Sequence, residues 1–189
     1  MKIIMIEGAR NVGKTYLIDK LTQGIKTYKF PFAKYFNECF TKDFNEDIKK
    51  KANSKTELYF LTLGYDITIL DLFKNGLISE NLIADRGILS NIIFGIQSGR
   101  IPMEEGVKAW KWLCKEYGDI FQIVYVTTEL NEDRRDKDMW DIYNQAETMD
   151  LYNKFIEMSS NTVVFEFINT FDDISVKGFN DTISNISKD

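Results

Sequence analysis

The chain has 189 residues, of which 44% are hydrophobic and 28% charged, a composition typical of one soluble globular domain. Its formal net charge of −5 argues against a surface for long nucleic acid, because such surfaces need clustered excess Lys and Arg. The chain contains no histidine, which excludes a His-ligated zinc site and any Ser/His or Cys/His catalytic pair.

Cysteine spacing and the apolar runs bear on where the protein works. Cys39 and Cys114 lie far apart in no metal-like spacing, so we expect them to be reduced thiols. The first apolar run, residues 3–6, is too short for a signal peptide, and no apolar stretch is long enough to cross a membrane. We therefore expect a cytoplasmic protein.

Short apolar strands alternate with longer helical patterns along the chain. In chain order the patterns predict a strand at residues 2–6, a helix at 14–22, a strand at 25–30, a helix at 45–74, a strand at 81–84, helices at 88–97 and 102–117, a strand at 120–127, a helix through 158, a strand at 162–168 and a weak helix from 172. Strands separated by helices indicate an α/β fold of three layers around a five-stranded parallel sheet. We expect residues 1–189 to form a single domain with its active site at the carboxyl ends of the strands.

The strongest motif lies between the first strand and the first helix. Residues 8–15 match G-x-x-x-x-G-K-[ST] in full, in the strand–loop–helix context that this phosphate-binding motif requires. The glycines allow successive N–H groups to point at one anion, Lys14 would reach the β and γ phosphates, and Thr15 would bind Mg²⁺. The motif predicts binding of ATP and Mg²⁺ by Gly8, Arg10, Asn11, Val12, Gly13, Lys14 and Thr15.

A second motif follows the strand that we expect to neighbour the first one. Residues 85–91 read Asp-Arg-Gly-Ile-Leu-Ser-Asn. The Asp85 carboxylate can hold Mg²⁺ directly or through water, and the planar guanidinium of Arg86 can bind a phosphate with two hydrogen bonds. The alternative is that Asp85 caps the next helix and Arg86 is solvated.

Three features together resemble the thymidylate kinases: Glu7-Gly8 at the phosphate loop, Phe30-Pro31 after the second strand, and D-R-x-x-x-S-N after the third. The resemblance implies the P-loop NTPase fold with a mobile lid. It also implies transfer of the γ-phosphoryl group of ATP to a deoxynucleoside monophosphate. Members of this family commonly form dimers through long helices, and residues 58–73 are apolar enough for that.

The resemblance also assigns roles to particular positions. It implies that Arg86 binds the acceptor phosphate, that Asp85 serves Mg²⁺ and phosphate positioning, and that Asn91 recognises the edge of a pyrimidine base. Phe30 would pack near the nucleotide.

The resemblance implies that the lid lies at residues 129–138. Its arginines, Arg134 and Arg135, are the candidates that would close over the phosphates, where the transition state needs cations. The alternative is a solvated loop of mixed charge. The long helix lacks the arginine that usually contacts thymine in this family, and Thr62 lies near that point. The sequence therefore does not identify the nucleobase of the acceptor.

The acceptor is the last open question. Deoxynucleoside kinases share this fold and place a carboxylate after the second strand as general base for a 5′-hydroxyl, whereas a monophosphate is already ionised near pH 7. Residues 30–34 carry no acid before Glu38, and Lys34 suits an acceptor phosphate. This favours a monophosphate kinase, with dTMP as the first candidate substrate. A deoxynucleoside kinase, a kinase acting within DNA and a regulatory nucleotide-binding module without turnover are the alternatives.

Overall fold

The computed structural model describes residues 2–21, 27–28, 55–129 and 145–187. Within them the chain forms, in order, β1 (Ile3–Glu7), α1 (Lys14–Asp19), β2 (Thr27–Tyr28), α2 (Lys55–Lys74), β3 (Leu82–Asp85), α3 (Ile88–Gln97), α4 (Met103–Tyr117), β4 (Phe121–Thr127), α5 (Gln145–Glu157), β5 (Val163–Ile168) and α6 (Asp173–Ile186).

The five strands form one parallel sheet in the order β2-β3-β1-β4-β5. The central strand is β1, in which Ile3 pairs with Leu82 on one side and with Phe121 on the other. The predicted α/β class, the parallel five-stranded sheet and the pairing of the first and third strands are therefore confirmed.

The alternation of side chains along β1 divides the core into two layers. Ile3 and Met5 belong to a cluster that includes residues of α2, α3, α4 and α5, while Ile4 and Ile6 belong to a cluster with residues of α1 and α6. Helices thus cover both faces of the sheet, as in the three-layer P-loop NTPase fold. Every side chain of β1 is buried, which explains its unbroken apolar sequence up to Glu7.

The C-terminal helix differs from its prediction as a weak element. α6 has 14 residues, and Phe179 and Ile183 are fully buried against the sheet. Its N-terminus is capped by Asp172, whose carboxylate accepts a hydrogen bond from the Ser175 N–H at 2.7 Å. Tertiary packing of one apolar face, rather than helix propensity, stabilises this segment.

Most other predicted bounds shift by one or two residues. The first helix is shorter than expected, because it ends at Asp19 rather than at residue 22. Most of the predicted second strand, and residues 45–54 of the predicted long helix, lie outside the described residues. Cys114 is a buried free thiol as expected, while Cys39 is outside the described ranges. None of the helices in the described ranges is both long and apolar enough to cross a membrane.

Candidate active site

The loop between β1 and α1 depends on its two glycines. Gly8 and Gly13 have φ angles of +143° and +83°, which residues with a side chain rarely adopt. A Cβ atom on Gly8 would overlap the Val126 carbonyl, and one on Gly13 would overlap the amide of Asn169. Glycine is therefore required at both positions, for conformation and for space.

Lys14 lies inside this loop. Its side chain is buried, and Nζ donates hydrogen bonds to the backbone carbonyls of Gly8, at 3.0 Å, and of Ala9. Burial, together with the nearby Arg86 guanidinium, lowers the Lys14 pKa well below its usual value. A bound anion would favour the charged form again, so the ammonium is placed where a phosphate would stabilise it.

Thr15, the last residue of the motif, meets the end of β3. Its hydroxyl donates a hydrogen bond to Asp85 Oδ2 at 2.8 Å. These two oxygens fit Mg²⁺, which takes one or two protein oxygens and completes its shell with water and substrate phosphates. No cluster of three or more His, Cys, Asp or Glu exists among the residues that the structure describes, so nothing there suggests an all-protein metal cage.

Arg86 is held in a defined position beside the loop. The residue has a φ of +72°, and Nη1 donates to the Gly8 carbonyl at 3.3 Å. The guanidinium carbon lies 5.0 Å from the ring centroid of Phe94, a cation–π distance. The N-cap of α3 is Gly87 with no side-chain bond, so the alternative in which Asp85 caps this helix and Arg86 is solvated is wrong.

The consecutive residues Asp85 and Arg86 face opposite layers. Asp85 contacts Thr15 on α1, whereas Arg86 reaches Phe94 on α3. α1 and α3 cover opposite faces of the sheet. The carboxyl edge of β3 therefore divides the site into a side formed by the phosphate loop with α1 and a side formed by α3.

The phosphate loop, the start of α1 and the end of β3 line one cavity of about 440 Å³. Its walls are formed by Arg10, Asn11, Gly13, Lys14, Thr15, Tyr16, Asp85 and Arg86. The structure thus brings the two motifs together, while three of the predicted site residues, Gly8, Val12 and Asn91, do not line this cavity. Four predicted site residues lie outside the described residues: Phe30, Lys34, Arg134 and Arg135. Residues 130–138 of the expected lid also lie outside them.

Glu7 forms a buried network that the sequence did not predict. One carboxylate oxygen accepts from the Ser90 N–H at 3.3 Å, while the other accepts from the Ser90 hydroxyl and, at 3.2 Å, from the Tyr152 hydroxyl. Burial raises the Glu7 pKa, although the bonds to Ser90 and the charges of Arg86 and Lys14 oppose the shift. The network joins β1, α3 and α5 directly behind the phosphate loop.

Asp66 and Asn91 form a second polar contact on the same face of the sheet. The Asn91 side-chain amide, on α3, donates to Asp66 Oδ2, on α2, at 3.1 Å. Burial raises the Asp66 pKa to about 7; the bond from Asn91 lowers it and the Glu7 charge raises it further. No sequence motif marks Asp66.

Asn169, immediately after β5, supports the phosphate loop from the other face. Its Nδ2 donates to the Val12 carbonyl at 2.8 Å, and its Oδ1 accepts from the Phe171 N–H at 3.0 Å and the Ser175 hydroxyl at 3.0 Å. The ring of Phe171 stacks on Tyr16 at 6.2 Å between centroids. A polar residue at the carboxyl end of the last strand was the one sequence signal available for this contact.

Taken together, the sheet order, the phosphate loop and the Thr15–Asp85 pair define a three-layer α/β fold with a P-loop. Sequence comparison yields no matching family model and no matching curated protein.

Solved structures do match this fold. Thymidylate kinase from Candida albicans is 18% identical, with a TM-score of 0.59 over 100% of this chain and 93% of that one. Deoxyadenosine kinase from M. mycoides, solved with bound dATP, is also 18% identical, with a TM-score of 0.56 over 100% of both chains. Thymidylate kinase from Ehrlichia chaffeensis is 14% identical, with a TM-score of 0.58 over 98% and 97%. At these identities the shared property is the fold.

Proposed function

We propose that this protein is an ATP-dependent kinase that transfers the γ-phosphoryl group to a deoxynucleoside monophosphate, with dTMP as the first candidate. The observation that carries the proposal is the convergence of Lys14, the Thr15–Asp85 pair and Arg86 on one cavity at the carboxyl edge of the sheet. Phosphoryl transfer needs positioning and cations around the moving group rather than covalent chemistry, and these residues supply both.

ATP is assigned to the side formed by the phosphate loop and α1. The loop N–H groups and the α1 N-terminus favour phosphate oxygens, and Lys14 would exchange its carbonyl contacts for the β and γ phosphates. Thr15 and Asp85 would hold Mg²⁺. A metal ion held by these two residues would neutralise part of the charge of the phosphate oxygens.

The acceptor phosphate is assigned to Arg86. Its guanidinium faces the α3 side and is oriented by Phe94 and by the Gly8 carbonyl. An acceptor phosphate bound by Arg86 would lie across the β3 edge from an ATP bound to the loop, which suits direct transfer between the two. Arg134 and Arg135 remain proposed lid residues that close over the γ-phosphoryl group and exclude water.

The preference for a monophosphate over a nucleoside rests on residues 30–34, which lack a carboxylate to act as general base. Lys34 is the proposed second cation for the acceptor phosphate. We further propose a cytoplasmic location and leave dimerisation through residues 58–73 as an expectation from the resemblance.

The test is release of ADP from Mg-ATP with dTMP, dUMP, dCMP, dGMP and dAMP, and with the parent nucleosides in parallel. Turnover on monophosphates, dTMP or dUMP foremost, is the expected result. Turnover on nucleosides alone would replace the monophosphate assignment with a deoxynucleoside kinase and remove the role of Lys34. Tight ATP binding without any turnover would indicate a regulatory nucleotide-binding module.

A further inference from the structure

The Asp66–Asn91 contact joins two helices at the acceptor side of the site. Asn91 follows Ser90, which bonds to Glu7 at the end of β1, and Asp66 is close enough to Glu7 for their charges to interact. The pair therefore lies at the same edge of the sheet as Arg86, on the face covered by α2 and α3. A carboxyl group that is desolvated beside a second buried carboxyl group costs free energy to ionise.

The hydrogen-bonding capacity of the carboxyl group determines how the amide is oriented. An ionised carboxylate only accepts hydrogen bonds, so it requires the NH₂ group of Asn91 on its own side. The amide oxygen Oδ1 of Asn91 then points away from Asp66. A protonated carboxyl group can donate as well, and would allow the amide to turn and present NH₂ in the opposite direction.

We propose that Asp66 is a positioning residue that fixes the side-chain amide of Asn91, so that Asn91 presents a hydrogen-bond acceptor to the nucleobase of the acceptor substrate. This rests on the proposed function, in which Asn91 recognises the base. The base edge that fits carries an N–H donor at its centre, as the imino N3–H of thymine and uracil does. Asp66 thereby contributes to base selection without touching the base.

Titration of the carboxyl group gives the proposal a pH signature. Among the described residues, the groups that act on Asp66 are the Asn91 amide, from α3, and the Glu7 carboxyl group, from β1. With an Asp66 pKa raised to about 7 by burial, the fixed orientation of Asn91 is complete above that pH and is lost as the pH falls through it. Apparent affinity for the base should weaken in the same range.

The experiment compares Asp66→Asn with a matched control on the same helix, Asp71→Asn. Asp71 accepts a hydrogen bond from Tyr117 on α4, and no site contact of Asp71 is described. The acceptor used is whichever of dTMP or thymidine the wild type phosphorylates. We expect Asp66→Asn to raise its KM by roughly three- to tenfold, the effect of one hydrogen bond, with kcat within about twofold of wild type. Asp71→Asn should leave both constants unchanged.

Two further comparisons isolate the path through Asn91. The ratio of the wild-type KM to the Asp66→Asn KM should change between about pH 6 and pH 8, a comparison in which the ionisation of the substrate phosphate cancels. In an Asn91→Ala background, Asp66→Asn should have no additional effect on KM. An equal effect in both backgrounds, or a pH-independent ratio, would overturn the proposal.

A readout without turnover separates this inference from the proposed function. The ¹⁵N resonance of the Asn91 side-chain amide should titrate near pH 7 in the wild type and should not titrate in Asp66→Asn. If the resonance responds neither to pH nor to the Asp66→Asn substitution, the inference is overturned whatever the activity. Absence of turnover on every acceptor overturns the proposed function instead, and is recognised from the wild type alone.

Discussion

The Thr15 hydroxyl donates a hydrogen bond to the Asp85 carboxylate at 2.8 Å, although 70 positions separate the two residues in the chain. The parallel pairing of β1 with β3 produces this contact, because it brings the carboxyl ends of both strands to one edge. The hydroxyl and the carboxylate are the two oxygen ligands that the proposed function assigns to Mg²⁺. Their proximity leads to the first prediction.

Thr15→Val removes the hydroxyl and keeps the shape of the side chain. We expect turnover to fall by about tenfold or more and the Mg²⁺ concentration for half-maximal rate to rise, because one metal ligand is lost. Thr15→Ser, which keeps the hydroxyl, should stay near wild type. The measurement is ADP release as a function of Mg²⁺ at saturating ATP, and equal Mg²⁺ dependence in both variants would contradict the assigned role.

Lys14→Ala should reduce turnover by about 100-fold or more, effectively abolishing it, because the change removes a cation from the phosphates in the transition state. The fold should persist: the lowered pKa of Lys14 means that the folded protein holds the charged form at a cost, so its removal should not reduce thermal stability. The matched control is Lys20→Ala, at the exposed C-cap of the same helix. A loss of melting temperature in Lys14→Ala would attribute its inactivity to unfolding.

Arg86→Ala should reduce phosphorylation of the acceptor far more than it reduces ATP binding, because Arg86 is assigned to the acceptor phosphate. Arg86→Lys keeps the charge but not the planar fork, and should recover only part of the activity. The measurements are kcat/KM for the acceptor and the dissociation constant of an ATP analogue. Equal losses in the two quantities would contradict the division of roles between Arg86 and Lys14.

The raised pKa of Asp66 should make the free energy of unfolding depend on pH. Its folded pKa of about 7 lies above the ordinary value of 3.8, so the folded protein retains a proton that the unfolded chain releases. The contribution of Asp66 to stability therefore falls as the pH rises from about 4 to about 7 and is constant above that. A shift of about three units corresponds to roughly 4 kcal/mol at most.

Asp66→Asn should remove this penalty. Urea unfolding at about pH 5 and pH 8 should find the variant more stable than wild type, by a larger margin at pH 8. A margin that is the same at both values would place the Asp66 pKa at its ordinary value.

Asn169→Ala should loosen the phosphate loop. The change leaves the buried Val12 carbonyl without its Asn169 partner and removes two bonds to Asn169 Oδ1, which costs about 1–3 kcal/mol of unfolding free energy. ATP affinity should fall together with stability. Asn153→Ala, on an exposed position of α5, serves as the control and should change neither. If Asn169→Ala is destabilised but binds ATP as tightly as wild type, Asn169 does not determine the ATP-binding conformation of the loop.

The sequence predicted those parts of the site that are written in consecutive residues. Residues 8–15 and 85–91 are each a short run of consecutive residues, so the members of each motif lie close together in space. The alternation of strands and helices implied that parallel pairing would bring the two motifs to one edge of the sheet. The contacts that connect distant elements were not predictable. Asp66 meets Asn91 across 25 positions, Glu7 meets Tyr152 across 145 and Asn169 meets Val12 across 157, and no local pattern announces such pairs.

The C-terminal helix shows the opposite limitation. The sequence predicts only a weak helix from residue 172, and residues 172–187 are rich in Ser, Asn and Asp, which lower helix propensity. The apolar spacing of Phe179, Ile183 and Ile186 proved decisive, since all three are buried against the sheet. Propensity is a local quantity, whereas the stability of this helix comes from a surface that forms only in the folded chain.

The central position of β1 has a consequence for biosynthesis. Ile3 pairs with Leu82 and with Phe121, so β1 can complete its pairing only after residues 121–127 have been translated. Until then at least one edge of this apolar strand is unpaired, and an unpaired apolar edge favours chaperone binding or aggregation. Non-local pairing of this kind also slows folding, because the entropy of loop closure is lost before the stabilising contacts form. The strand that precedes the phosphate loop is thus fully paired only after the strand on its far side, β4, has been synthesised.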